Sequence, residues 1–136
     1  FVAEKGVGAW LNDRRLRVSN RKNLPEMLFS TGIPFGEKPH LDLTLQEIEK
    51  LMPMCSGIRR NGSAALDLAY VSAGRFDAFW ERNLNPWDIA AGILIVKEAG
   101  GFISSIGDDK SPIETGNIIA SNTEIYKKFS SIISAT

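Results

Sequence analysis

Two acids seven residues apart carry the chemistry that this sequence offers. Asp88 stands in the stretch Asn85-Pro86-Trp87-Asp88, directly ahead of an apolar run from residue 89 to 96, and Glu81 closes the stretch Phe79-Trp80-Glu81. Asn85 precedes a proline and is biased to extended backbone. Pro86 suits the first position of a helix, where its missing N–H is no loss. Asn85 is then the N-cap, and Asp88 falls in the first helical turn. Free N–H groups and the helix dipole stabilise a carboxylate there by about 0.3–1 kcal/mol. Such an acid either caps the helix or offers its oxygens to a ligand. Position alone favours the cap and leaves the ligand open.

Glu81 ends a segment, residues 75–81, in which Phe76, Ala78 and Trp80 alternate with Arg75, Asp77 and Phe79. That period of two predicts a strand. A strand end and the start of the following helix lie at one edge of a sheet. In open α/β sheets, ligands bind at the edge formed by the strand C-termini. A solvated strand-end acid is the plain alternative for Glu81. Gly62-Ser63-Ala64 opens another helical stretch. Gly62 permits close approach, and amides at a helix start meet an oxygen-rich ligand. Ser63 as an ordinary N-cap explains the same residues equally well.

The elements that must position these groups read as follows. Residues 9–11 and 16–18 flank the turn signal Asn12-Asp13 and predict a hairpin. The stretch from Glu26 to Gly32 reads as a buried strand. Pro34, Gly36 and Pro39 form a loop. Leu45, Ile48, Leu51 and Met52 have helical spacing over residues 44–52, which Pro53 ends. Residues 56–60 are a short strand, and residues 63–73 a helix stopped by Gly74. A helix over residues 86–99, apolar on nearly every side and therefore deeply buried, closes on Gly100-Gly101. Residues 101–105 and 117–122 are strands. Ile125, Phe129, Ile132 and Ile133 mark a last amphipathic helix. The alternation predicts an α/β layered sandwich, a mixed, mostly parallel sheet flanked by helices.

Composition narrows the function classes. The chain has 136 residues, 43% of them hydrophobic, enough for a real core. Lys+Arg and Asp+Glu each number 16, so the net charge gives no overall footprint for nucleic acid or an anionic membrane. No apolar run nears the ~20 residues that a membrane-spanning helix needs. Cys55 is the single cysteine and forms no internal disulfide, which fits a reducing, cytoplasmic setting. The chain opens at Phe1 in what reads as a strand already under way, an expectation of a preceding segment.

Taken together, Gly62-Ser63-Ala64-Ala65, the stretch from Gly74 to Glu81 and the stretch from Asn85 to Gly101 resemble the C-terminal half of the inositol monophosphatase family. Residues 2–19 also resemble that family's central hairpin. The resemblance implies that Asp88 ligates a catalytic Mg²⁺ and contacts substrate. It implies that Glu81 hydrogen-bonds the hydroxyls of a polyol. It further implies that Gly62, Ser63 and Ala64 line the substrate, with Ser63 keeping a hydroxyl that is often threonine's. The implied reaction is hydrolysis of inositol monophosphate or a related small phosphorylated polyol, in a homodimer. A sibling activity on nucleotide or sugar bisphosphates is the alternative. The family's Asp-Pro-x-Asp-Gly-Thr cluster, which supplies most metal ligands, does not occur here. Residues 1–136 are thus expected to be the C-terminal portion, lacking the metal-binding half and inactive by themselves.

The remaining conspicuous residues have plainer readings. His40, in a loop beside acids, reads as a surface histidine, and Cys55 as a buried or semi-buried thiol. Arg14, Arg15, Arg17, Arg21 and Lys22 form a charged hairpin face, or else a patch for RNA or a protein partner. One bacterial branch of the resembled family acts with the transcription machinery, so association with RNA polymerase or an RNA factor stays open as a non-catalytic role. Trp10, Trp80 and Trp87 read as core or interface anchors.

Overall fold

In the computed structural model, residues 1–33 and 40–134 are described. The expected loop at Pro34, Gly36 and Pro39 lies outside them. The chain begins with a three-stranded antiparallel sheet, β1 (Val2–Glu4), β2 (Gly8–Leu11) and β3 (Arg14–Arg15). It continues with β4 (Leu28–Thr31), α1 (Leu41–Leu51), β5 (Gly57–Arg59), α2 (Ala64–Ser72) and β6 (Ala78–Glu81). Then follow α3 (Pro86–Glu98), β7 (Phe102–Ser105), the single turn α4 (Pro112–Thr115), β8 (Ile118–Ser121) and α5 (Tyr126–Ser134).

The second sheet has five strands in the order β5-β4-β6-β8-β7. Its β5-β4-β6 half is parallel, and β6-β8-β7 is antiparallel. The expected α/β fold with a mixed sheet between helices is therefore present, but the sheet is not mostly parallel as expected, because β8 pairs antiparallel with both β6 and β7. One sheet face packs Phe29, Ala78, Trp80 and Ile119 against Leu51 of α1 and Phe129 and Ile133 of α5. The other packs Phe79, Ile118 and Ala120 against Leu68 and Val71 of α2 and Ile89 and Val96 of α3. Strand alternation produces this division: Ala78 and Trp80 point one way, Phe79 the other.

Helices α2 and α3 cross closely at Gly92, where a Cβ would stand 2.5 Å from Leu68 Cδ1. The three-stranded sheet lies over the far end of this pair, where Ala9, Leu16 and Ala99 share a small core with Ile95 and Ala73. It covers only that end. Ala90 and Ala91 are consequently exposed, and α3 is not buried all round as its sequence implied. Two other readings also need correction. The hairpin pairs Leu11 with Arg14 and Trp10 with Arg15, so its second strand precedes residues 16–18. Asn12, in left-handed backbone (φ 54°), closes the turn in two residues, and Leu16 is then free to enter the core. Helix α1 starts at Leu41 rather than Thr44, because its first turn lacks the apolar spacing that marks its middle.

Two polar clusters fix β6 at its ends. At the start, buried Asp77 accepts hydrogen bonds from the Leu28 N–H (2.9 Å), Arg21 Nη1 (2.9 Å) and the Ser19 hydroxyl. Asn122 Nδ2 donates to Ser19 Oγ (2.9 Å) and to the Arg21 carbonyl (3.2 Å). At the far end, Glu47 of α1 is fully buried and takes both Arg82 guanidinium nitrogens at 2.6 Å and Trp80 Nε1 at 2.9 Å. Breaking a buried pair from one side costs about 3–5 kcal/mol, whereas replacing both partners by apolar groups is often neutral. Arg82→Met should therefore destabilise the protein by about that amount, and Arg82→Met with Glu47→Leu should recover part of it. The remainder is the cost, about 1–3 kcal/mol, of leaving buried Trp80 Nε1 without its acceptor. Equilibrium urea denaturation of both variants checks this, and equal losses in the two would contradict it.

Candidate functional site

Strands β4, β5 and β6 run parallel, so their C-terminal ends share one sheet edge. Two helices start at that edge, α2 after β5 and α3 after β6. Beyond it lies an open cleft of about 460 Å³ whose lining includes Gly62, Ser63, Ala64, Glu81 and Asp88. All five residues singled out in the sequence thus meet at one place. Gly32, Arg60, Asn83 and Trp87 also line the cleft.

Each helix start is capped as its sequence indicates. Ser63 precedes α2 in extended backbone, and its Oγ accepts the Leu66 N–H at 3.3 Å. Gly62 before it has φ +84°, a conformation that other residues adopt only with strain. At α3, Asp88 Oδ2 accepts the Asn85 N–H at 2.9 Å. The capping readings of Ser63 and Asp88 are therefore met in the geometry. For Asp88, capping and ligation do not compete. The bond uses one oxygen of a group with two, and an ionised carboxylate has about four acceptor positions.

The segment between the two acids is anchored residue by residue. Arg82 is held by Glu47, and the Asn83 N–H donates to Asn117 Oδ1 at 3.1 Å. The Leu84 N–H donates to the Gly116 carbonyl at 2.9 Å, and the Asn85 N–H to Asp88. Asn83 makes the reversal with φ +64°, a conformation asparagine tolerates better than most residues.

Burial pushes the Glu81 carboxyl up to about 7; the nearby Asp67 and Asp88 carboxylates add to the rise, and the Arg60 guanidinium opposes it. Burial likewise raises Asp67, against hydrogen bonds from Ser30 Oγ (2.8 Å) and Asn61 Nδ2 (3.0 Å). Asp67 Oδ2 is buried without a hydrogen-bond partner. Sequence reading passed over Asp67, although it stands in the first turn of α2 as Asp88 does in α3. That shared position was the available signal. Arg60 and Gly32 gave none, since their parts depend on which strands become neighbours.

Among the described residues, no three of His, Cys, Asp and Glu lie close enough to hold a metal ion. The described side chains therefore do not by themselves make a complete Mg²⁺ site, which needs several oxygen ligands in near-octahedral geometry.

The family model for inositol monophosphatases matches residues 1–135. The chain belongs to the inositol monophosphatase family. An inositol-1-monophosphatase of Caulobacter vibrioides is 48% identical over 128 residues, covering 93% of this chain and 50% of that protein. The Nus factor SuhB of Pseudomonas aeruginosa is 50% identical over 129 residues, covering 93% of this chain and 48% of that protein. The crystal structure of the extragenic suppressor protein suhB from Bartonella henselae superposes with a TM-score of 0.90 at 49% identity, covering 96% of this chain and 50% of that one. The chain spans about half the length of the curated relatives it matches. Among its described residues, no helix is long and apolar enough to cross a membrane.

The other conspicuous side chains resolve differently. Arg21 is engaged with Asp77, and Arg15 lies over the Trp10 ring at 5.5 Å, while Arg14, Arg17 and Lys22 are exposed. Trp80 is fully buried, but Trp87 is 78% exposed at the cleft mouth and anchors no core within this chain. His40 is half-buried at the start of α1. Cys55 is half-buried, and burial pushes its thiol up.

The raised Glu81 carboxyl has a consequence for stability. Its folded value exceeds the ordinary 4.5, so the folded state binds this proton more tightly than the unfolded chain does. The stability this confers is complete below about pH 4.5 and is lost as pH rises through about 7. Glu81→Gln removes the dependence. Allowing for solvent at a part-buried group, the variant should be more stable than the parent by about 1–3 kcal/mol at pH 8.5. At pH 4 the two should be equal. Chemical denaturation at both pH values checks this, and a constant difference would contradict it.

Proposed function

We propose that this chain is the substrate-facing portion of a Mg²⁺-dependent phosphomonoesterase acting on inositol monophosphate or a similar small phosphorylated polyol. The observation that carries the reading is the convergence of Asp88, Glu81 and the Gly62–Ala64 segment on one cleft at the C-terminal sheet edge. Asp88 contributes one carboxylate to a metal site whose other ligands come from outside this chain. Bound Mg²⁺ would polarise the phosphate ester and lower the pKa of a water. The chain's residues orient the rest of the substrate. Glu81 presents two carboxyl oxygens that can accept hydrogen bonds from polyol hydroxyls. Ser63 and the amides at the start of α2 approach substrate oxygens, with Gly62 permitting contact with the backbone. The family resemblance extends the expectation to a homodimer. Nucleotide or sugar bisphosphates are the alternative substrates, and selectivity across the three classes decides among them.

Two outcomes test the reading. This chain by itself should turn over no phosphomonoester, whereas the full-length protein should do so with Mg²⁺. In the full-length protein Asp88→Asn keeps the shape and a good helix-start residue, so a capping role alone predicts near-normal turnover. A metal ligand predicts a loss beyond the ~10–100-fold typical of residues that merely orient ligands. Turnover measured against Mg²⁺ concentration, with thermal melts alongside, separates the two. Near-normal turnover of Asp88→Asn would leave the cap and remove the ligand.

A second reading is a transcription-associated binding role, favoured by the name of the Pseudomonas aeruginosa relative and by the exposed Arg14, Arg17 and Lys22. An intact acid cluster in the rest of the coding sequence supports the enzyme, and its loss supports the binding role.

A further inference from the structure

We propose that Gly32 is a positioning residue, whose missing side chain makes the space in which the Glu81 carboxylate stands. The inference rests on the reading that Glu81 meets the polyol. Gly32 follows β4 and is buried at the cleft. A Cβ at residue 32 would lie 2.0 Å from Glu81 Oε1, 2.4 Å from its Cδ and 2.9 Å from Oε2. A non-bonded methyl carbon does not approach a carboxylate this closely. Gly32 is not among the glycines with positive φ. Left-handed backbone is therefore not what requires glycine here, and the demand is one of space.

The backbone on either side has little room to yield. Thr31 Oγ1 donates to the Trp80 carbonyl at 2.7 Å, tying β4 to β6 one residue before the contact. Arg60 Nη2 donates to the Ile33 carbonyl at 2.9 Å, holding the chain one residue after it. β4 lies between β5 and β6 and cannot move sideways. β6 is held by the pairing of Arg82 with Glu47 immediately beyond Glu81. The three nearest atoms all belong to the Glu81 side chain, the far end of a side chain that can rotate, so a methyl group at residue 32 turns the carboxylate out of its place. Gly32 thus sets the position from which Glu81 selects among hydroxylated substrates.

The test uses the full-length protein and two esters, inositol monophosphate and phenyl phosphate, the second having no hydroxyls for Glu81 to meet. Gly32→Ala should lower kcat/KM for inositol monophosphate by roughly 10–10²-fold, the scale of a misplacement near 1 Å. The loss should appear in KM, turnover of phenyl phosphate should stay near that of the parent, and the melting temperature should change little. In a Glu81→Ala background the added methyl meets no carboxylate, and Gly32→Ala should have no further effect. Equal losses on both esters, or an undiminished loss in the Glu81→Ala background, would overturn the proposal. If Glu81→Ala itself leaves inositol monophosphate kinetics unchanged, the polyol reading of Glu81 fails instead. The placement of Glu81 is then decided by a crystal structure of full-length Gly32→Ala. A carboxylate turned away from residue 32 upholds the positioning role. A carboxylate in place beside a shifted backbone refutes it.

Discussion

The carboxylate of Glu47 has no contact with water, and an isolated ionised acid in that setting would cost more than most folds have to spare. Three donors meet it, two from Arg82 and one from Trp80. Their arrangement requires that residues 80 and 82 project to the α1 side of the sheet. Glu81 must then project to the opposite side, toward α2 and α3, because neighbouring side chains on a strand alternate. The orientation of the acid in the cleft is thus decided on the far side of the sheet by a group that never touches the cleft. The Asp77 cluster does the same for the other end of β6, joining it to residues 19 and 21 of the segment that descends from the hairpin. Between these two clusters lie the large fully buried side chains Phe79 and Trp80, one in each main core.

Much of this was legible in the residues. Pro86 behind Asn85 marks a helix start whatever surrounds it, and the period of two over residues 75–81 marks a strand. Those local rules placed Asp88 and Glu81 at a common edge and anticipated the α/β layers. The parts that were not legible depend on contacts between distant residues. Glu47 and Arg82 are 35 positions apart, and nothing in the spacing of the α1 helix singles out Glu47 as the acid that will be buried. Gly32 meets Glu81 only because β4 and β6 become neighbours. The exposure of Ala90 and Ala91 was missed for the opposite reason. An apolar helix implies a cover on every side, but the three-stranded sheet reaches only one end of α3.

The Asp67 and Asp88 carboxylates, together with burial, raise the demand of Glu81 for a proton or a cation, and Arg60 is the cation that opposes them. The unpartnered Oδ2 of Asp67 adds to that demand. Such a group of acids is stable in a folded protein only because the scaffold around it is held by other means, here the polar clusters at the two ends of β6. The cleft is accordingly a region where local polar satisfaction is incomplete on a frame where it is nearly complete, the usual relation between a site and the structure that carries it.

The connection from Glu81 to Asp88 is a surface turn, the kind of segment in which chains ordinarily gain and lose residues freely. This one has no slack. Residues 82, 83, 84 and 85 are each bonded to a different anchor, on α1, before β8, after α4 and on α3. Adding or deleting a single residue would break at least one of these attachments and rotate one acid away from the other. The number of residues between the two acids is therefore itself a constraint on sequence drift. Residues 83, 84 and 85 are attached through backbone N–H groups and Arg82 through its side chain, so the length of the turn is held along with the identity of Arg82.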